Sequence, residues 1–428
     1  LSLQPTINAG DARATALAAV AKWYKLGQDA LEATSAELSV YDPRLIGPGH
    51  APTRLVWRLE VRPKALMPIR ELVLVDARSG AIALHFNQVP DAKNRVTSDA
   101  NNTASLPGTL VCNESSGDAC SSGVNLDADF AHLYAGQTYD FYATYHGRDS
   151  LDNLGMTLRS SVNWNDGASC PNAFWDGTRM AYCALMSRAD DVVAHELTHG
   201  VTENTSNLFY YYQSGAINES LSDVWGEFVD QTNASGTDGA AYDWKMGEDT
   251  AAAGLGVIRD MADPTVYGDP DRMTSVNYYT GANDSGGVHS NSGINNKAAY
   301  LMTAGGTFNS IIVTALGITK VAKIYYQAQT QLLTSGADYL DLYNALYESC
   351  QSLIGTAGIA AGDCTQVRNA TDAVEMNLEP VANFNPEATL CPAGQLPVNI
   401  FYDGFDGGLG NWTLNRTSGT ENWADWFT

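Results

Sequence analysis

The period with which apolar residues recur changes several times along this chain, and each change marks an element. Over residues 11–26 the spacing is helical, with Leu17, Val20 and Tyr24 on one face of an Ala-rich segment. The period then shortens to two. Residues 55–61 alternate as a strand, and residues 71–75 and 81–86 read as a hairpin turned at Arg78-Ser79-Gly80. Residues 1–97 therefore form a small α+β module. Asn, Ser and Gly crowd the stretch that follows, which predicts an exposed, cleavable linker over residues 98–122. Short apolar runs rich in Tyr and Gly predict a β-rich lobe over 123–190. From residue 191 onward helical periods dominate: around His195, and over 216–230, 294–303, 318–333 and 339–353. The expected fold class is α+β, with a β-rich lobe, a helical lobe over 191–380 and a cleft at their seam. Residues 394–428 read as the first strand of a β-sandwich-like extension, too short for a core of its own.

The 428 residues, 44% of them hydrophobic, suffice for two or three domains with cores. Against 24 Lys and Arg stand 48 Asp and Glu, a formal charge of −24. That balance argues against nucleic acid as a partner, and no apolar run approaches the length of a membrane span. Six of the seven cysteines fall into locally spaced pairs: Cys112 with Cys120, Cys170 with Cys183, Cys350 with Cys364. Cys391 is left over. Paired cysteines in short loops suit an oxidising compartment, so the chain reads as secreted and extracellular. Leu1 reads as the start of a trimmed or truncated product.

The chemistry concentrates in His195-Glu196-Leu197-Thr198-His199. Side chains at i and i+4 of a helix lie one above the other, so the two imidazoles can grip one ion, with Glu196 beside its open position. Catalytic zinc takes three protein ligands and keeps a fourth place for water. A third His further along the same segment is excluded, because Thr202 and Thr205 occupy the Gly and His positions of that pattern. Glu219 supplies the third ligand instead. Asp223, one helical turn later, accepts the outer N–H of a zinc-bound histidine. Ile217 and Leu221 flank this second helix and Val192, Val193 and Ala194 precede the first, so both are packed, and buried carboxylates require a partner.

Several longer segments now bear on identity: Asn172-Ala173-Phe174-Trp175, Asp191-Val192-Val193-Ala194 before the histidine motif, Gly215-Ala216-Ile217-Asn218-Glu219, Tyr267-Gly268-Asp269-Pro270 and Gly286-Gly287-Val288-His289-Ser290-Asn291-Ser292-Gly293. In these words, and in their order, the chain resembles the thermolysin family of secreted zinc metallopeptidases over about residues 100–380. Residues 53–98 resemble the PepSY module that ends that family's prosegment. The resemblance implies a two-lobed peptidase in precursor form, with zinc on His195, His199 and Glu219 and with Asp223 and Asn218 behind those ligands. Glu196 would take the proton of the attacking water, and His289 and Tyr210 would stabilise the oxyanion, with Asp284 orienting His289. Asn172 and the backbone of Ala173 would hold the substrate main chain, and Arg259 the carbonyl after the scissile bond. Val192 and Ile258 would line an apolar pocket, giving cleavage on the amino side of Leu, Phe or Ile.

The same resemblance implies at least one calcium ion, on Asp191, Glu227, Asp230, Asp243 and Glu248. Lys245 stands where two-calcium members carry an acid, so one ion is expected here, with Lys245 offering only its carbonyl. A Cys170–Cys183 disulfide is expected to brace the strand around Asn172. The implied partners are protein and peptide substrates and the chain's own prosegment, as chaperone and inhibitor of a monomer. Three readings follow: an active endopeptidase made as a precursor, a latent precursor with a blocked cleft, and an inactive scaffold that binds through its C-terminal module.

Overall fold

The helix α1 (Ala9–Tyr24) is capped by the Asn8 side chain, which accepts from the Asp11 N–H at 2.9 Å, and ends at Lys25 in the left-handed region. Its buried stripe of Ala12, Ala16, Val20 and Ala21 packs on Leu59, Val61, Val73 and Val75 of a five-stranded sheet. That sheet comprises β1 (Leu31–Ala33), β2 (Glu37–Tyr41), β3 (Arg54–Pro63), β4 (Glu71–Asp76) and β5 (Ile82–Asn87). Its order is β1-β3-β4-β5, with β2 also on β3, and every pairing is antiparallel. The computed structural model describes residues 3–45, 52–64, 69–88, 93–237, 239 and 243–381. Cys391 and the expected extension over 394–428 lie outside the described residues.

The stretch expected to be a processing linker, 98–122, is instead built into the next sheet. β6 (Arg95–Thr103) lies between β7 (Thr109–Asn113) and β8 (Leu158–Trp164), and the sheet continues to β10 (Met180–Tyr182) and the edge strand β9 (Ala173–Trp175). Polar composition misled here because the polar side chains find partners within the fold. Thr97 and Ser98 are buried, and Asp99 accepts from Asn125 and Asn163. This second sheet thus begins at Arg95, and the strands of the first sheet end with β5, before residue 97.

The lobe expected to be β-rich over 123–190 contains a 21-residue helix, α2 (Leu126–His146), packed on β6 and β8. Its Tyr-rich sequence is buried on most sides, which hid the helical period. Arg95, 2% exposed, anchors β6 under α2 by donating to Glu114, Asp118 and the His132 carbonyl at 2.7–2.8 Å. A Cβ on Gly136 would overlap the Arg95 guanidinium, so α2 needs glycine there. At the other end of α2, Arg70 of the first module lies over Gly147, and Lys323 donates to the Tyr145 carbonyl. Helix C-termini favour cations.

The rest is helical: α3 (Asp190–Glu203), α4 (Tyr212–Asn233), α5 (Asp284–Asn291), α6 (Gly293–Ala304), α7 (Ile318–Gln327) running into a π turn, α8 (Tyr339–Ser352) and α9 (Ala361–Ala373). Two short ribbons, β11 (Lys245–Met246) with β12 (Arg259–Asp260) and β13 (Gly306–Phe308) with β14 (Ile311–Val313), flank them. The helix α9 was not expected, because Val367 is its one large apolar residue; the Cys350–Cys364 disulfide ties it to α8. Cys112–Cys120 and Cys170–Cys183 are also joined.

Candidate active site

α3 and α4 pack along one another, and their facing sides carry the candidate ligands. His195, Glu196 and His199 come from α3, and Glu219 from α4. His195 Nε2 and His199 Nε2 are 3.1 Å apart, and they lie 3.5 and 3.4 Å from the two Glu219 carboxylate oxygens. A tetrahedral site with metal–ligand distances of about 2.0–2.2 Å separates its ligand atoms by about 3.3–3.6 Å. The two Glu219 separations, each to a different carboxylate oxygen, fall in that range and the His195–His199 separation is slightly shorter, so the three side chains are grouped closely enough to hold one zinc ion. Glu219 Oε2 is buried without a hydrogen-bond partner, as an atom waiting for a cation is.

Electrostatics point the same way. Burial opposes charge on His195, but Asp223 and Glu219 outweigh it and hold the ring's pKa up at about 10. The carboxylates call for positive charge at this point, which a proton or a divalent ion supplies. His199 goes the other way, pushed down to about 4 by burial, and so presents a neutral ring. Burial, with Glu219 adding to it, raises Glu196 to about 7, in the range that suits proton transfer.

Behind the ligands, His195 Nδ1 lies 2.8 Å from Asp223 Oδ1, and His199 Nδ1 lies 2.9 Å from Asn218 Oδ1 and 3.2 Å from Ser222 Oγ. Asp223 is wholly buried and also accepts two bonds from Arg259, at 2.7 and 2.5 Å, and one from Asn296 at 2.7 Å. Burial would raise the Asp223 pKa, yet Arg259 and His195 hold it down at about 2. Sequence reasoning missed Ser222 and Asn296. Ser222 could have been found one helical turn after Glu219, whereas nothing local marks Asn296.

Tyr210, just before α4, and His289, on α5, stand at the open side. The Tyr210 hydroxyl donates to Glu219 Oε1 at 2.5 Å and lies 3.3 Å from His289 Nε2. Asp284 fixes His289, with Oδ1 2.6 Å from Nδ1 and Oδ2 accepting the backbone N–H at 3.0 Å. The chain turns into α5 through left-handed Gly286 and Gly287, against whose α-carbons the Tyr212 and Tyr279 rings pack, leaving no room for a Cβ. β9 runs beside α3 as the sheet edge, with Asn172 exposed at its start and the Asn172 carbonyl bonded to the Cys183 N–H at 2.9 Å. Val192 is buried one turn ahead of His195, and Ile258 packs on Gly247, one residue before Arg259.

A second cluster lies further along the same two helices. Asp191, Glu227, Asp230 and Glu248 are all at least nine-tenths buried, and Asp190 joins them, an addition the sequence reading did not make. Asp230 Oδ1 and Glu248 Oε2 have no hydrogen-bond partner. Burial and mutual repulsion push Asp230 up to about 12 and Glu248 to about 10, and burial pushes Asp191 to about 6. Such a group of hard oxygens fits calcium. Glu227 accepts the Trp244 N–H at 2.8 Å, Asp243 is half-buried in the turn before β11, and Lys245 lies on β11 opposite Asp260.

With this geometry in hand, relatives can be compared. The family profile described as thermolysin metallopeptidase, catalytic domain, matches residues 83–203, and the one described as thermolysin metallopeptidase, alpha-helical domain, matches 206–376. A zinc metalloproteinase of Renibacterium salmoninarum is 38% identical over 403 residues, covering 85% of this chain and 72% of that protein. The chain belongs to the thermolysin family. Other thermolysin-family relatives include a bacillolysin of Bacillus cereus, 40% identical over 66% of this chain and 49% of its own, and a thermolysin of Alicyclobacillus acidocaldarius, 39% identical over 64% and 50%. The chain thus spans about half the length of these two relatives. Among solved structures, the precursor of protealysin, a metalloproteinase from Serratia proteamaculans, is similar with a TM-score of 0.55 at 32% identity, covering 66% of this chain and 88% of that one. As a member of the thermolysin family this is a zinc metallopeptidase whose cofactors are catalytic zinc and structural calcium, and the two clusters fit those ions in number and type of donor. The catalytic-domain match runs through 98–122, in line with the strands found there.

Proposed function

We propose that the chain is the precursor form of a secreted zinc endopeptidase that cuts on the amino side of bulky apolar residues. The observation that carries this reading is the triangle of His195, His199 and Glu219, with Glu196 on the same helix and Tyr210 and His289 at the open side. Zinc, when bound there, polarises the scissile carbonyl and lowers the pKa of the attacking water. Glu196 takes the water's proton and delivers it to the leaving nitrogen, a task its raised pKa suits. Tyr210 and His289 stabilise the oxyanion as charge develops, and Asp284, 2.6 Å from His289 Nδ1, steadies the ring. Asn172 and Ala173 on the edge strand pair with the substrate backbone, as an exposed strand edge can. Arg259 has five N–H donors, and those that Asp223 leaves over take the carbonyl after the scissile bond. Val192 and Ile258 line the apolar pocket.

Residues up to the end of β5 are the proposed prosegment, acting as chaperone and as inhibitor of a latent monomer. Its arginine on Gly147 supports a bracing role at the end of α2. Paired cysteines and the secreted character of the family support export. Maturation is expected upstream of Arg95, because a cut within 98–122 severs strands that hold the catalytic lobe together. N-terminal sequencing of the active form tests this. Mass spectrometry of a digested protein mixture tests the specificity: cut sites should precede Leu, Phe or Ile, and sites dominated by Arg or Lys would overturn it.

A further inference from the structure

Away from the catalytic cleft, His132 on α2 is fully buried, and its Nε2 has no hydrogen-bond partner, while its Nδ1 lies 2.9 Å from Thr97 Oγ1. A buried polar atom left unsatisfied needs an explanation. Cys112, 4% exposed, and Cys120, half-buried, place their sulfurs so that both Sγ atoms and a ring nitrogen of His132 lie within 4.8 Å of one another. In the tautomer whose Nδ1–H donates to Thr97 Oγ1, Nε2 carries the lone pair that a metal would take. We propose that Cys112, Cys120 and His132 form a second, redox-gated metal site, which binds a thiophilic divalent cation such as Zn²⁺ when the Cys112–Cys120 disulfide is reduced.

The loop that carries Cys120 is tied down by hydrogen bonds in addition to the disulfide. On one side of it Asp118 is bonded to Arg95 at 2.8 Å. On the other, Asp129 accepts from the Ser121 N–H and hydroxyl and from the Gly123 N–H at 2.5–2.8 Å. Cys112 is held by the strand pairing of β7 with β6, opposite Thr97. After reduction both sulfurs therefore remain beside the imidazole. Burial, with Arg95 nearby, pushes His132 down to about 4, so the ring is neutral and free to ligate. Two thiolates and a neutral imidazole cancel the charge of a divalent ion, and these are donors that zinc prefers. The half-buried Cys120 leaves the fourth position to solvent.

The chemistry balances with a dithiol reductant. The dithiol transfers two electrons and two protons to the disulfide, giving two thiols and its own cyclic disulfide. The cation then displaces both thiol protons as it binds. The loop is clasped by sulfur–sulfur bonding under oxidising conditions and by the metal under reducing ones.

Cobalt(II) distinguishes this site from the catalytic one, which has no sulfur. The full chain is reduced, freed of reductant without air and titrated with Co²⁺. A thiolate-to-cobalt charge-transfer absorption should appear, together with one more bound cobalt per chain than in the oxidised protein. The band should vanish in the variant C112S/C120S and survive in C170S/C183S and C350S/C364S, which retain the clasp. If C112S/C120S fails to fold, His132→Gln serves, since the amide can keep the Thr97 contact while the imidazole donor is gone; the band should then weaken and shift. No band in the reduced wild type, or an unchanged band in the folded variants lacking Cys112 and Cys120 or His132, overturns the proposal.

Discussion

Asp223 joins the proposed zinc site to the rest of the protein, and replacing it by asparagine separates two effects. In Asp223→Asn the side chain keeps its volume and one oxygen that can face His195 Nδ1, now 2.8 Å away, but it loses its charge. Arg259, whose side chain is 13% exposed, then lacks the carboxylate that holds it with two bonds. Breaking one side of a buried pair costs about 3–5 kcal/mol, because the remaining charge stays desolvated. The loss of the anionic partner behind a ligand histidine lowers metal affinity by about 10–100-fold. Both quantities are measurable in a Glu196→Gln background, which suppresses self-digestion without touching a ligand. Zinc affinity is read by competition with a chromophoric chelator, and stability by urea unfolding at saturating zinc and calcium. Adding Arg259→Met should recover most of the lost stability but not the zinc affinity, since the desolvated charge is gone while the imidazole remains poorly oriented. If D223N leaves both quantities unchanged, or if R259M restores zinc affinity as well, the proposed role of Asp223 is wrong.

Four further outcomes are expected. Gly136→Ala should destabilise the fold by about 3 kcal/mol, because the new methyl displaces the buried Arg95 guanidinium; unfolding curves check this. A calcium-selective chelator should lower the thermal midpoint and added calcium should restore it, with a stabilisation of about 4 kcal/mol when free calcium exceeds its Kd about 1,000-fold. The variant C170S/C183S should lose about 3 kcal/mol from opening a loop with a sequence separation of 13 and should raise KM more than it lowers kcat, since β9 is loosened but Glu196 is not. Lys323→Met addresses a lysine that burial, with Arg62 and Arg70 nearby, pushes down to about 8. Between that value and the unfolded pKa of about 10.4 the unfolded chain binds more protons, so wild-type stability rises with pH there. The variant should therefore be more stable than wild type by about 1–2 kcal/mol below pH ~8, once the lost bond to Tyr145 is allowed for, and the gain should fade toward pH ~10; equal pH profiles would contradict this.

That His195, His199 and Glu219 come together as a candidate metal site was legible in the sequence because both halves obey helical spacing, His195 with His199 and Glu219 with Asp223. Strands with strict alternation, β3 and β4, were legible for the same reason. Where side chains are satisfied by distant partners, composition gave the wrong answer: β6 is a central strand although Thr97, Ser98 and Asp99 look like loop residues, and α2 is a helix although most of its faces are buried. Asn296 and Asp190 were invisible because their roles arise only where α6 or the start of α3 meets α4. His289 could be named through resemblance alone, since its position depends on the left-handed turn at Gly286 and Gly287 rather than on any local period.

The central claim, a zinc site on His195, His199 and Glu219 that works with Glu196, is tested most directly by hydrolysis of a blocked Gly–Leu peptide by the processed enzyme. Phenanthroline should abolish hydrolysis and zinc should restore it, while Glu196→Gln should bind one equivalent of zinc at this site and remain inactive. Activity that survives complete removal of zinc, or a Glu196→Gln variant as active as wild type, would contradict the account.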